Sequence, residues 1–171
     1  MKRLLSISTL AAAIFPVVAL ATPVTGDQEI TLSGAGSSDK DFDSTVMAVQ
    51  GSWGQYLSEQ SLWGIRQSIN IRDDEGDDTK FDGSTRVFYD YHFGTGNTRP
   101  FIGVSLGGVY GEQVEESFMA GPEIGIKHWV ADKTFITAMA EYQFLFESGS
   151  EADDRFDDGL FLYSLGIGYN F

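Results

Sequence analysis

The stretch SLGIGYNF at residues 164–171 constrains the fold of this chain more than any other. Laid out as an extended strand, it places Phe171, Tyr169, Ile167 and Leu165 on one face, and Tyr163 and Phe161 continue that face backwards. Asn170, Gly168, Gly166 and Ser164 fall on the other face, where Leu162 is the one large residue. A strand that is apolar and aromatic-tipped on one side and small or polar on the other suits a sheet with hydrocarbon outside and a packed interior.

The same two-residue period breaks the chain into eight segments, near residues 29–36, 45–54, 61–72, 84–93, 99–110, 118–130, 134–146 and 159–171. A tilted strand needs about 9–11 residues to cross a bilayer, and most of these segments reach that length. Beyond residue 21 no apolar run is long enough for a membrane helix, so a spanning structure has to be a closed barrel, in which every backbone group finds a partner. The connections alternate in character. Those after the second, fourth and sixth segments are short, around residues 55–60, 94–98 and 131–133. The other four are acidic and mostly longer. They hold Asp39, Asp41 and Asp43; Asp73, Asp74, Glu75, Asp77, Asp78 and Asp82; Glu112, Glu115 and Glu116; and Glu147, Glu151, Asp153, Asp154, Asp157 and Asp158. Of the 25 acids, 18 therefore gather at one end of the molecule, matching the short inner turns and long outer loops of membrane barrels.

The first residues read as an export leader. Lys2 and Arg3 precede an apolar stretch at 4–20, and Ala19-Leu20-Ala21 offers a small-x-small cleavage site before Thr22. Residues 1–21 are expected to be a cleavable signal peptide and 22–171 a single barrel domain. Removing the leader leaves nine basic residues against 25 acidic ones, a balance of −16 instead of −14. That acidity, without a basic stripe, argues against nucleic acid as a partner. With no cysteine, the chain has no disulfide framework, thiolate metal site or cysteine nucleophile.

Aromatics gather towards the segment ends. Trp53, Tyr56, Trp63, Tyr91, Phe93, Phe135, Tyr169 and Phe171 lie on the short-turn side; Tyr110, Phe118, Phe144, Phe146 and Phe161 lie on the acidic side. Two belts of this kind mark the two interfaces of a membrane barrel. With the leader, the stretches GTGNTRPFIGVSLGG (94–108) and GPEIGIK (121–127) and the terminal strand, the chain resembles the small outer-membrane β-barrels, the eight-stranded OmpA/OmpX-like barrel domains. Ser164, Gly166, Tyr169 and Phe171 also match the C-terminal assembly signal of Gram-negative outer-membrane barrels. The resemblance implies an all-β, eight-stranded, antiparallel up-and-down transmembrane barrel in the bacterial outer membrane. Its implied partners are outer-membrane lipid and lipopolysaccharide and the outer-membrane assembly machinery, with no cofactor.

Parity assigns an interior. Gly64, Arg66, Ser68, Asn70 and Arg72 point inward in the third segment, and Arg86, Phe88, Asp90 and His92 in the fourth. Gly103, Ser105 and Gly107 follow in the fifth, Glu123, Gly125 and Lys127 in the sixth, and Glu141 and Gln143 in the seventh. A tight turn at 131–133 sets Glu123 opposite Glu141. Two facing carboxylates need compensation, and Arg66 and Arg86 lie at a similar depth, with Asp90 and Lys127 nearer the turns. A mixed-charge cluster plugging the middle of the lumen is therefore expected. Gln67 and His128 fall on the lipid face, and a bulge at Gly121-Pro122 would shift the register, because proline donates nothing to a ladder.

No catalytic set is expected. Hydrolysis needs a nucleophile beside an oriented base, and His92 and His128 are the two histidines. His128 is followed by Trp129-Val130, without the serine two residues on that lipid A deacylases carry, and His92 sits near the short turns. No metal site is expected either. The run DDEGDD at 73–78 puts Asp78 where an EF-hand requires glycine. The expected role is non-enzymatic, in envelope structure or surface interaction through four acidic loops with an external partner left open. The alternative is a pore passing small solutes.

Overall fold

The computed structural model describes residues 22–38, 45–72, 80–111, 117–146 and 159–171. Eight strands form a closed barrel in chain order: β1 (Gln28–Ser38), β2 (Thr45–Tyr56), β3 (Ser61–Arg72), β4 (Lys80–His92), β5 (Thr98–Gly111), β6 (Ser117–Trp129), β7 (Thr134–Phe146) and β8 (Leu160–Asn170). Every neighbouring pair is antiparallel, and β1 closes the sheet on β8, with Ile30 opposite Tyr169. Closure leaves no strand edge without a partner. The expected leader at 1–21 and all the expected loop acids except Asp82 lie outside the described residues.

The strands depart from the sequence-based segments at their ends. Gln55 and Tyr56, expected in a turn, complete β2 by pairing with Trp63 and Leu62. β4 begins at Lys80, before the expected Ser84, so Asp82 belongs to the wall and not to a loop, and its side chain is buried. Phe171 lies just past β8, yet its N–H donates to Gln28 O at 2.9 Å and the Gln28 N–H donates back to Phe171 O at 3.0 Å.

Two turns show how the short connections close. Between β2 and β3, the Leu57 N–H donates to Ser61 O at 2.8 Å, and Ser58 Oγ accepts from the Ser61 N–H at 3.0 Å. Between β4 and β5, Gly94 takes a φ of 78°, a left-handed conformation that glycine adopts without steric cost.

Pro122 does not bulge its strand. Ala120 faces Phe144 and Glu123 faces Glu141, so the β6–β7 register is the same on both sides of it. The reason lies next door. Gly121 turns inward, and a Cβ there would sit 2.0 Å from the Tyr142 carbonyl oxygen. Without a side chain at 121 the two strands close up where the proline interrupts the ladder.

Inside and outside separate by parity. Ile30, Leu32, Val49, Ile65, Ile69, Val87, Val104, Leu106, Ile124, Leu165 and Ile167 are all exposed on the outer wall, whereas Arg66, Arg86, Asp90, Glu123, Lys127 and Glu141 are all buried within. An apolar surface that runs around the described barrel far exceeds the few hundred Å² typical of soluble monomers. The short-turn belt is smaller than expected. Trp53 and Trp63 meet edge to face at 5.9 Å, and Tyr91 and Phe93 at 5.2 Å. Tyr56 and Phe135 instead point into the lumen, at 1% and 0% exposure. Their inward parity, set by Gly54 on β2 and Thr137 on β7, outweighs their position near the strand ends.

Candidate functional site

The lumen is filled in layers. At mid-height the walls present like charges side by side: Arg66 faces Arg86 across β3–β4, and Glu123 faces Glu141 across β6–β7. The two pairs then meet. Arg66 Nη1 donates to Glu123 Oε2 at 2.7 Å and Nη2 to Oε1 at 3.3 Å, a two-pronged contact that guanidinium geometry favours. Arg86 Nη1 donates to Glu141 Oε2, and Ser105 Oγ to Glu141 Oε1. Arg66 also lies 3.8 Å from Glu141, so one guanidinium touches both carboxylates. Other neighbours join the set: Arg86 Nη2 donates to Gln50 Oε1 at 2.5 Å and to Ser68 Oγ at 3.1 Å, and the Arg66 guanidinium lies 4.4 Å from the centre of the Phe88 ring, while Arg86 Nε has no partner among the described residues.

Asp90 is the remaining acid of the expected cluster. It reaches the same region, 2% exposed, and its Oδ1 has no hydrogen-bond partner among the described residues. Gly103 makes room for it. A Cβ at 103 would stand 2.1 Å from Asp90 Oδ1 and 3.0 Å from Glu123 Cγ.

Lys127 belongs to a second layer, nearer the short turns. Its Nζ donates to Glu29 Oε1 at 2.6 Å and sits 5.0 Å from the Phe135 ring centre, with Tyr56 and Phe101 each at 5.8 Å. Glu29 Oε2 accepts from Tyr56 OH at 3.0 Å, and Trp129 Nε1 donates to Asn170 Oδ1 at 3.0 Å beside it. At the mouth, Arg99 is held by carbonyls: Nη1 donates to Glu59 O at 3.0 Å and Nε to Gly96 O at 3.3 Å, with Trp129 5.3 Å away. Between the two charged layers lies a cavity of about 30 Å³ lined by Arg66, Asp90, Lys127, Gln50 and Met139 among others, room for a body the size of a water molecule.

The sequence reading does not single out Glu29, Gln50 or Arg99, and it places Tyr56 in the short-turn belt instead of the lumen. Glu29 shares the inward parity of Thr31 and Ser33, and Arg99 that of Phe101, so the alternation that found Arg66 carried the signal for these as well. The outward polar residues that fit the lipid face badly satisfy one another. Gln67 Nε2 donates to Tyr110 OH at 2.6 Å, Thr85 Oγ1 donates to Gln67 Oε1 at 2.6 Å, and His128 Nδ1 lies 2.6 Å from Thr98 Oγ1. Of the four terminal-strand residues, Tyr169 and Phe171 face outward and Ser164 faces in. Gly166 packs against Ser33, whose Oγ would lie 2.7 Å from a Cβ at that position.

No family model matches the chain, and no curated protein is similar to it in sequence. Solved structures are similar in shape. Neisserial surface protein A superposes with a TM-score of 0.61 at 14% identity, over 85% of this chain and 96% of that one. The fold is that of the small outer-membrane β-barrels. Two further outer-membrane barrels agree. The N-terminal barrel domain of Pseudomonas aeruginosa OprF gives 0.58 at 20% identity over 86% and 98% of the two chains. Ail, the attachment invasion locus protein of Yersinia pestis, gives 0.53 at 17% identity over 86% and 100%. The shared outer-membrane barrel fold accommodates the separation found here, with charged residues inside and an apolar wall outside.

Proposed function

We propose that this chain is an integral protein of the bacterial outer membrane, exported by the signal peptide at 1–21 and inserted as a barrel whose apolar wall contacts lipid and lipopolysaccharide. Its work is non-enzymatic: envelope structure or surface interaction, with the four acidic connections as the outer contact surface. The observation that carries this reading is the inversion of a soluble core, with ion pairs such as Arg66–Glu123 inside and side chains such as Leu165, 69% exposed, outside. Water would not tolerate that wall, and hydrocarbon requires it. The terminal residues Ser164, Gly166, Tyr169 and Phe171 are offered to the assembly machinery, since Tyr169 and Phe171 stand free on the outer face. The role of Ail in attachment supports the surface-interaction half of the proposal.

A filled lumen supports this role over that of a solute pore. Eight-stranded barrels have interiors about wide enough for side chains, and here two charged layers occupy that space. Planar bilayer recordings test the distinction. The proposal expects no steady open state; stable conductance in every insertion would replace it with the transport reading. Binding of host or bacterial surface material to the intact barrel, compared with variants lacking each acidic connection, tests the outer surface.

A further inference from the structure

The outer wall is not uniform. Midway along β5 and β6 the outward side chains carry no ring of aromatic size: Val104 faces Pro122 and Ile102 faces Ile124, with Ala140 next to Ile124 on β7. Aromatic rings stand on both flanks, Tyr89 and Tyr91 from β4 on one side and Tyr142 and Phe161 on the other. They enclose a groove of about 600 Å³. Its walls are fixed. Tyr89 OH donates to Ser61 Oγ and Tyr91 OH to Gln60 Oε1, both at 3.0 Å, so both rings are pinned towards the short-turn rim. Tyr142 packs against Phe161 at 4.8 Å and Phe144 at 5.0 Å.

We propose that this groove seats one acyl chain of a phospholipid from the leaflet on the short-turn side, an inference that rests on the membrane-spanning reading above. The occupant is an uncharged tail because no ionised group is offered to it. Glu123 and Glu141, from the strands of the groove floor, spend their carboxylates on arginines in the lumen. A headgroup phosphate in the groove would therefore find no cationic partner among the lining residues, and burying its charge uncompensated is costly. A second copy of the chain fits poorly. Twelve residues line the groove, against roughly 20–30 on each side of a stable protein interface, and two convex barrels in contact would leave the concavity between them unfilled. The leaflet follows from the tyrosines, whose hydroxyls are tied to Ser61 and Gln60 at the short-turn rim, where amphipathic rings meet the headgroup level. Because hydrogen bonds and ring contacts already hold the flanking rings in place, little further side-chain ordering opposes binding.

The test is retention of phosphatidylethanolamine by the full chain after insertion into vesicles and extraction into mild detergent, counted by native mass spectrometry. The variant Val104→Phe with Ala140→Phe fills the groove, and retention is expected to fall about tenfold. Val49→Phe, on the far wall, is expected to retain as much as the parent. If the double variant does not fold, Ala140→Phe alone gives the same readout. Equal retention by the filled and unfilled barrels overturns the proposal, and so does retention of lipopolysaccharide in preference to phosphatidylethanolamine when both are offered. Failure of the parent chain to enter vesicles at all overturns the membrane reading instead.

Discussion

Arg66 and Arg86 stand opposite each other on one wall, and their guanidinium groups cross the lumen to Glu123 and Glu141, themselves opposite each other on the far wall. Each wall alone is a repelling like-charge pair, and directly opposed like charges weaken a sheet. Together they form a clamp between β3–β4 and β6–β7, pairs of strands that are not neighbours in the sheet.

Removing one member should therefore expose the whole cost. Glu141→Ala leaves Arg86 without its carboxylate in a site where Arg86 is 1% exposed. The expected loss is about 3–5 kcal/mol of unfolding free energy, measured by urea titration of the barrel in lipid vesicles. An unchanged midpoint would mean that the clamp contributes nothing to stability.

The second layer makes an independent prediction. Lys127→Met strands Glu29, whose Oε1 lies 2.6 Å from Nζ, and should destabilise strongly. Adding Glu29→Gln to that variant removes the orphaned charge and should recover a large part of the loss. A double-mutant cycle measures this, and strict additivity of the two single effects would contradict the pairing.

Much of this was legible in the sequence because one rule governs all eight strands. A period of two, phased strand by strand on outward residues such as Ile65, Ile124 and Ala140, puts Arg66, Glu123 and Glu141 inside as long as no bulge shifts the register. The tight turn at 131–133 then fixed which carboxylates would meet. Parity does not say how far each strand extends, so it places Tyr56 and Asp82 in connections although both complete the interior. Nor could it say which way the rings near the strand ends would point, and Tyr56 and Phe135 left the expected belt to surround Lys127. The sorting of charge into two layers depends on how strands far apart in sequence stack around the lumen. Glu29 and Lys127, 98 residues apart, meet through closure alone.

Gly103 tests the packing behind Asp90. A Cβ there would lie 2.6 Å from the Tyr89 carbonyl oxygen as well as against Asp90, and backbone cannot rotate away as a side chain can. Gly103→Ala should cost about 1–3 kcal/mol in the same urea assay. Gly34→Ala, where a Cβ meets nothing within 4 Å, is the control and should stay close to the parent.

On the outer wall, Leu165→Arg places a charge where the side chain is 69% exposed to the surroundings. Facing hydrocarbon at mid-depth it should cost about 2–4 kcal/mol. Measured in vesicles, a neutral effect would place this part of the wall in water.

The most direct measurement of what surrounds the barrel is its behaviour when detergent is withdrawn. With lipid vesicles present, the purified chain should insert and keep its β structure; without them, it should aggregate as Leu32, Val104, Leu165 and their neighbours seek cover. A folded chain that stays monomeric in plain buffer would contradict the account, because its apolar wall would then be at rest in water.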